Sequence, residues 1–228
     1  MEKMTFSHQL SQYVLTGLGS GSIYALIGIG FNIIHNATRI VNITQCAFVM
    51  LGGMLCISFF GFLHLPLFVS FFLAILSVTF IGAMVERGAI RPAKSKSILV
   101  LIFITIGAYE FMSGTAMLAW GPDPMTLPSF SGEKPLRVLG ATLDPQYLWI
   151  FAITIVTVII LHLFFSRTVT GKAMRAVAAN ARAASLVGIS VNRMTLISFA
   201  LSGTVGAIAG VIITPITTAS YHSGLMLG

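Results

Sequence analysis

Residues 148–165, LWIFAITIVTVIILHLFF, run without a formal charge and lead into 166–193, SRTVTGKAMRAVAANARAASLVGISVNR, which carries five basic side chains and no acidic one. An apolar run of that length reads as a membrane-spanning helix, because roughly 20 helical residues rising ~1.5 Å each cross a ~30 Å hydrocarbon layer. The basic stretch after it then lies at one membrane face. Working outward, comparable apolar runs occupy 12–34, 41–60, 66–85, 98–119 and 194–215, and Glu110 is the one formal charge inside the six. Such segregation of charge is what a bilayer requires. The expected fold is all-α: a polytopic transmembrane helix bundle of about six spans, forming one domain over residues 1–228.

Composition agrees. Hydrophobic residues make up 56% of the 228 and charged residues 8%, against about 25% charged in ordinary soluble domains. Six spans leave no room for a large extramembrane domain, which excludes a soluble enzyme and also disordered, collagen-like and coiled-coil classes. The net charge of +7 does not indicate nucleic acid, because no water-exposed domain exists on which a basic footprint could form. It reports topology instead. Ten of the 13 Lys and Arg fall in three loops on one side: Arg39, Arg87, Arg91, Lys94, Lys96, Arg167, Lys172, Arg175, Arg182 and Arg193. By the positive-inside rule that side is cytoplasmic, which puts both termini and the loop 120–147 outside. This outer loop is rich in Pro and Gly, with Trp120 and Trp149 at its edges where interfacial indoles are favoured, and reads as a compact cap. The N-terminal stretch MEKMTFSHQLSQYVL lacks an A-x-A-like cleavage pattern, so the first span is expected to be retained.

Few residues offer chemistry. Cys46 and Cys56 lie ten positions apart in one apolar run, about 15 Å of helical rise, so neither a disulfide nor a shared metal site is expected. The five histidines show neither H-x-x-x-H nor H-E-x-x-H spacing. Neither Ser20 nor Ser202 sits in the G-x-S-G setting of an intramembrane serine protease. The run GLGSGS lacks the spacing and strand context of a phosphate loop, and no G-x-x-x-x-G-K-[ST] occurs, so ATP hydrolysis is not expected of this chain, nor a cofactor. Glycines at 17 and 21 and at 206 and 210 form small-xxx-small steps, read as packing surfaces that bury the first and last spans in the bundle.

Two places stand apart. Asn42, Thr44 and Gln45 enter the second span ahead of Gly52-Gly53, as polar residues beside a helix-weakening pair do at transport sites, though hydrogen bonding to neighbouring helices explains them equally. Glu110, at the middle of the fourth span, is costly there unless paired, protonated or hydrated. It is a candidate for the translocation path or for an ion-coupled site, and equally for a structural bond to a neighbouring helix. The loop 166–193 is alanine-rich, and at 100° per residue Lys172, Arg175 and Arg182 share one face, opposite Met174, Val177, Ala181 and Ala184. This is a small amphipathic helix at the cytoplasmic surface, suited either to acidic lipid headgroups or to a protein partner.

The stretches GSIYALIGIGFNII (21–34), RIVN (39–42), FVMLGG (48–53), GKAMRAVAAN (171–180) and AASLVGI (183–189) resemble the permease subunits of branched-chain amino-acid ABC importers. That resemblance covers most of the chain. It implies a second permease subunit, two cytoplasmic ABC ATPase subunits and an extracytoplasmic solute-binding protein as partners. It implies an inner-membrane location and import of branched-chain or other small amino acids, with urea and short amides as alternatives. It also makes the cytoplasmic loop the ATPase-coupling element, with Arg175, Arg182, Ala183, Ala184, Gly188 and Ile189 at the matching positions. A stand-alone ion-coupled transporter or channel using Glu110 is the competing class. The sequence departs from the family at Ala181 and Arg182, where proline and glutamate are common, and at Gln45-Cys46-Ala47, where the family usually has H-G-E or H-G-D. It also ends where the family normally continues through further spans, as a fragment or a shortened permease would.

Overall fold

The computed structural model describes residues 6–93, 97–132, 136–138 and 141–224. Lys94 and Lys96 of the basic loops lie outside the described residues, as do both chain ends. Among the described residues, six helices are long and apolar enough to cross a membrane: Gln12–Thr38, Thr44–Phe62, Leu67–Ile90, Ile98–Trp120, Gln146–Arg167 and Val191–Ile213. In order, the elements are α1 (Phe6–Thr38), α2 (Thr44–Ile57), α3 (Leu67–Val85), α4 (Ile98–Trp120), β1 (Leu136–Val138), β2 (Ala141–Leu143), α5 (Gln146–Arg167), α6 (Val169–Ala179), α7 (Ala181–Leu186) and α8 (Val191–Ile213).

Two boundaries differ most from expectation. The third span continues past Val85 through a π-helical turn, Glu86–Ile90, so Glu86 and Arg87 belong to its end and not to the loop. The first runs to Thr38 and is broken at Arg39, whose φ of 60° lies in the left-handed region. The outer loop, expected as a compact cap, holds a small antiparallel hairpin pairing Leu136 with Leu143 and Val138 with Ala141. Backbone bonds between Met125 and Ala219, 2.9 and 2.8 Å, tie that loop to the segment after α8.

The bundle is built around α8, which packs against α1, α2 and α3. Between helices in lipid there is no hydrophobic driving force, so close backbone approach and interhelical hydrogen bonds decide what sits inside. The two most buried spans, α2 and α8, are accordingly the ones rich in small and polar residues. Helix α3 shows the sorting on a single element. Ser70, Ala74, Val78 and Gly82 form its buried i+4 face, while Phe68, Phe72, Leu76 and Phe80 stand exposed on the other. A Cβ on Gly82 would come within 2.6 Å of Phe199 O, one on Gly203 within 2.8 Å of Val78 O, and one on Gly52 within 2.6 Å of Ala207 Cα. Thr79 and Thr204 hydroxyls bond at 2.8 Å across the same seam.

The expectation for the glycine steps holds for α8 and fails for α1. Gly206 and Gly210 both meet α2, at Phe48 and Val49, whereas Gly17, Gly21 and Gly28 face nothing within 4 Å among the described residues. Spaced four and seven residues apart, they form an open stripe along α1. The spacing signals close approach to a helix, and no described helix makes that approach.

Candidate functional site

The sequence predicts one amphipathic helix on the basic side; the structure divides it in two at Asn180. Thr168 caps α6, its hydroxyl accepting from Gly171 N at 2.9 Å, and buries Gly171, Met174 and Val177. These positions, three residues apart, form the inward face against α5, α1 and α8. Asn180 is extended, φ −154° and ψ 101°, and its side-chain oxygen accepts from Arg182 N and Ala183 N, both at 3.1 Å. A side-chain oxygen satisfying two free N–H groups starts a new helix, α7. The turn that ends α7 is a Schellman motif: Ile189 N donates to Ala184 O at 3.0 Å and Gly188 N to Ser185 O at 3.1 Å, with Gly188 at φ 87°.

This break separates Arg175 from Arg182, so the two do not share a face. Arg182, Ala183 and Gly188 are exposed on the α7 turn, Ala184 is buried and Ile189 half-buried. The tip itself is formed by residues the sequence reading passed over. Leu186 is 87% and Val187 76% exposed, an apolar pair held out on a rigid turn. Their sequence signal was present, two aliphatic residues directly before a helix-ending glycine, but it reads equally as the inner face of an amphipathic helix. Arg175 lines a cleft elsewhere, between α1, α5 and α6, together with Asn32, Asn36 and His162.

Helix α6 is fixed by a close approach. A Cβ on Gly171 would fall within 2.6 Å of Phe165 Cα and closer still to Phe164 O. Backbone cannot give way as a side-chain tip can, so Gly171→Ala is expected to lower stability by about 1–3 kcal/mol. Thermal unfolding in detergent checks this, and an unchanged melting temperature would contradict it.

Among the path candidates, Asn42, Thr44 and Gln45 are all fully buried. Asn42 Oδ1 accepts from Thr44 Oγ1 at 2.5 Å and Thr44 N at 3.3 Å. Ser202 of α8 lies within hydrogen-bond reach of both Gln45 Oε1 and Gly30 O, joining α1, α2 and α8. Asn42 Nδ2 and Gln45 Nε2 have no hydrogen-bond partner among the described residues. Glu110 does not join this node. It is exposed on the outer face of α4, ten residues before the end of that helix at Trp120. Cys46 and Cys56 are free and buried.

A second polar group was missed because it was assigned to a loop. Glu86 is 2% exposed and meets Arg91 Nε at 3.4 Å, while its Oε2 lacks a partner. The Arg91 guanidinium also donates to Asn192 O at 3.4 Å, joining the end of α3 to the start of α8. One long contact returns less than the desolvation of a buried carboxylate costs. Glu86→Gln is therefore expected to leave the melting temperature unchanged or raise it. A loss above about 1 kcal/mol would show a stronger pair than this geometry supports.

Six membrane-length helices around a glycine-packed core, with a short helical element on the basic side, define a polytopic membrane protein. Residues 13–228 match the family described as branched-chain amino acid transport system / permease component, and the chain belongs to that family. It is 27% identical over 220 residues to the high-affinity branched-chain amino acid transport system permease protein BraD of Pseudomonas aeruginosa, covering 90% of this chain and 71% of that one. It is 26% identical over 214 residues to LivH of Salmonella typhimurium, named as a permease protein of the same kind of system, covering 89% and 70%. LivH of Escherichia coli gives the same identity and coverage. No solved structure matches the chain.

Proposed function

We propose that this chain is a membrane-spanning subunit of an ATP-driven importer for branched-chain or other small amino acids. It forms part of the translocation path in the inner membrane and performs no bond chemistry itself. Membership of the permease family and the names of BraD and LivH support the transport class and substrate. The observation that carries the mechanism is the α6–α7 element with its exposed Leu186 and Val187. Outside the hydrocarbon layer such an apolar pair on a rigid turn serves a protein partner better than water. We assign it to a cleft of a cytoplasmic ATPase, with Arg182, Ala183, Ala184, Gly188 and Ile189 shaping the turn and Arg175 behind it. On this reading both termini and the 120–147 loop face outward, where a solute-binding protein delivers substrate. Two ATPase copies act on two permeases, and closure of the ATPase pair is passed through α6 and α7 to the bundle.

The open stripe Gly17, Gly21 and Gly28 supports a second permease whose helix packs closely on α1. Glu110 has the same requirement. A carboxylate at mid-membrane needs a polar neighbour or water, and the paired subunit or the path between the two supplies it. The node at Asn42, Thr44 and Gln45 is closed in this conformation, and its unpartnered amides gain partners when α1, α2 and α8 separate. Cysteines placed at Gly21 and at Gln45 test this arrangement in membranes. Position 21 is expected to cross-link to a second permease, and position 45 to be labelled by a polar thiol reagent only during turnover. Constant labelling at 45 with no cross-link at 21 would contradict it.

A further inference from the structure

The cleft between α1, α5 and α6 encloses about 360 Å³ and is lined at one end by Asn32, Asn36, His162 and Arg175, a size within the ~300–1,000 Å³ of ligand sites. Apart from Ser198 of α8, its remaining wall is apolar, with Ile29, Ile33, Val158, Leu161 and Phe165. None of the helices that line it, α1, α5, α6 and α8, contains an Asp or Glu. Arg175, the guanidinium that lines the cleft, has no carboxylate partner among the described residues, where the ion pair is the distant Arg91–Glu86. An anion bound at Arg175 therefore comes from beyond the described residues.

Depth and wall chemistry say which anion. The polar end lies at the last turns of α1 and α5, which finish at Thr38 and Arg167, on the basic side where headgroups sit. Toward mid-membrane the cleft becomes purely apolar. A free phosphate would leave that wall empty. An amino acid would bring an ammonium for which the cleft has no carboxylate.

We propose that this cleft binds an anionic phospholipid, with Arg175, assisted by the Asn32 and Asn36 amides, holding the phosphate and one acyl chain lying along Ile33, Val158, Leu161 and Phe165. The inference uses the orientation given under the proposed function and does not depend on the substrate. The lipid sits between the coupling helix and the two spans it must move, which makes anionic lipid a structural part of that joint.

The full chain, purified in mild detergent from its native membrane with whatever subunits accompany it, is expected to retain anionic over zwitterionic phospholipid by mass spectrometry. Arg175→Ala removes charge-assisted bonds to phosphate and lowers that retention roughly tenfold or more. Arg175→Lys, which keeps the charge, preserves part of it. Val158 is 41% exposed, so Val158→Trp fills the apolar wall without disturbing the core, and it displaces the lipid with Arg175 intact. Inorganic phosphate serves as the competing probe. Displacement of lipid by phosphate, with Val158→Trp having no effect, would make this a free-anion site and overturn the proposal. Equal retention in wild type, Arg175→Ala and Val158→Trp would overturn it as well. Because the readout is bound lipid, these outcomes stand apart from any failure of transport.

Discussion

Replacing Leu186 and Val187 together by aspartate is expected to abolish ATP-driven uptake while leaving the chain inserted and folded. Both side chains are almost fully exposed, so nothing in the folded chain loses packing, and surface changes of this kind stay within about 0.5 kcal/mol. In a docked complex the balance differs. Burying each aliphatic side chain contributes about 1.5–3 kcal/mol, and the pair together about 4 kcal/mol, so docking weakens by roughly a thousandfold. The aspartates also stand at the C-terminal end of α7, where the partial negative charge of the helix opposes them. Uptake assays with parallel thermal unfolding separate the two quantities. Normal uptake would remove Leu186 and Val187 from the coupling site, and a lower melting temperature would make them structural.

Replacing Gly210 by valine is expected to have the opposite profile, losing the fold first and transport as a consequence. Gly210 faces Val49 O and Gly53 N of α2, the latter 3.1 Å from the position a Cβ would take. The atoms in the way are backbone, and α8 cannot retreat because Gly203 also packs against the Val78 backbone of α3. Overpacking typically costs about 1–3 kcal/mol; a site clamped on two sides falls at the upper end or beyond it. The readout is the yield of monodisperse protein in detergent. Gly21→Val, on the open stripe of α1, is the control and is expected to fold normally. Similar yields from both would contradict the packing described here.

The contrast between these two glycines shows where the sequence stopped being informative. Small-xxx-small spacing states that a backbone comes close, and it does so at Gly206 and Gly210. The same spacing at Gly17 and Gly21 meets no described helix, and spacing alone does not distinguish the two cases. The six spans were legible because lipid imposes a length and a hydropathy that leave few alternatives. Their ends were less so: the third ran on through a π-helical turn, because a charged pair at Glu86-Arg87 reads as the edge of the membrane even when one member is buried. Asn180 carried a helix-start signal inside a run of good helix formers, and alanine propensity masked the division into α6 and α7. For the candidate site, residue type alone marked Asn42, Thr44, Gln45 and Glu110 as unusual. Only the fold separates a closed node inside the bundle from a carboxylate on its outer face.

The central claim is that the α7 turn is where force enters this subunit. It is tested most directly by placing a photo-reactive amino acid at position 186 and irradiating native membranes. The account predicts one dominant adduct, with a protein carrying an ATP-binding cassette, formed from position 186 and not from a probe at Phe72 on the exposed face of α3. Adducts from position 186 with lipid alone would contradict it.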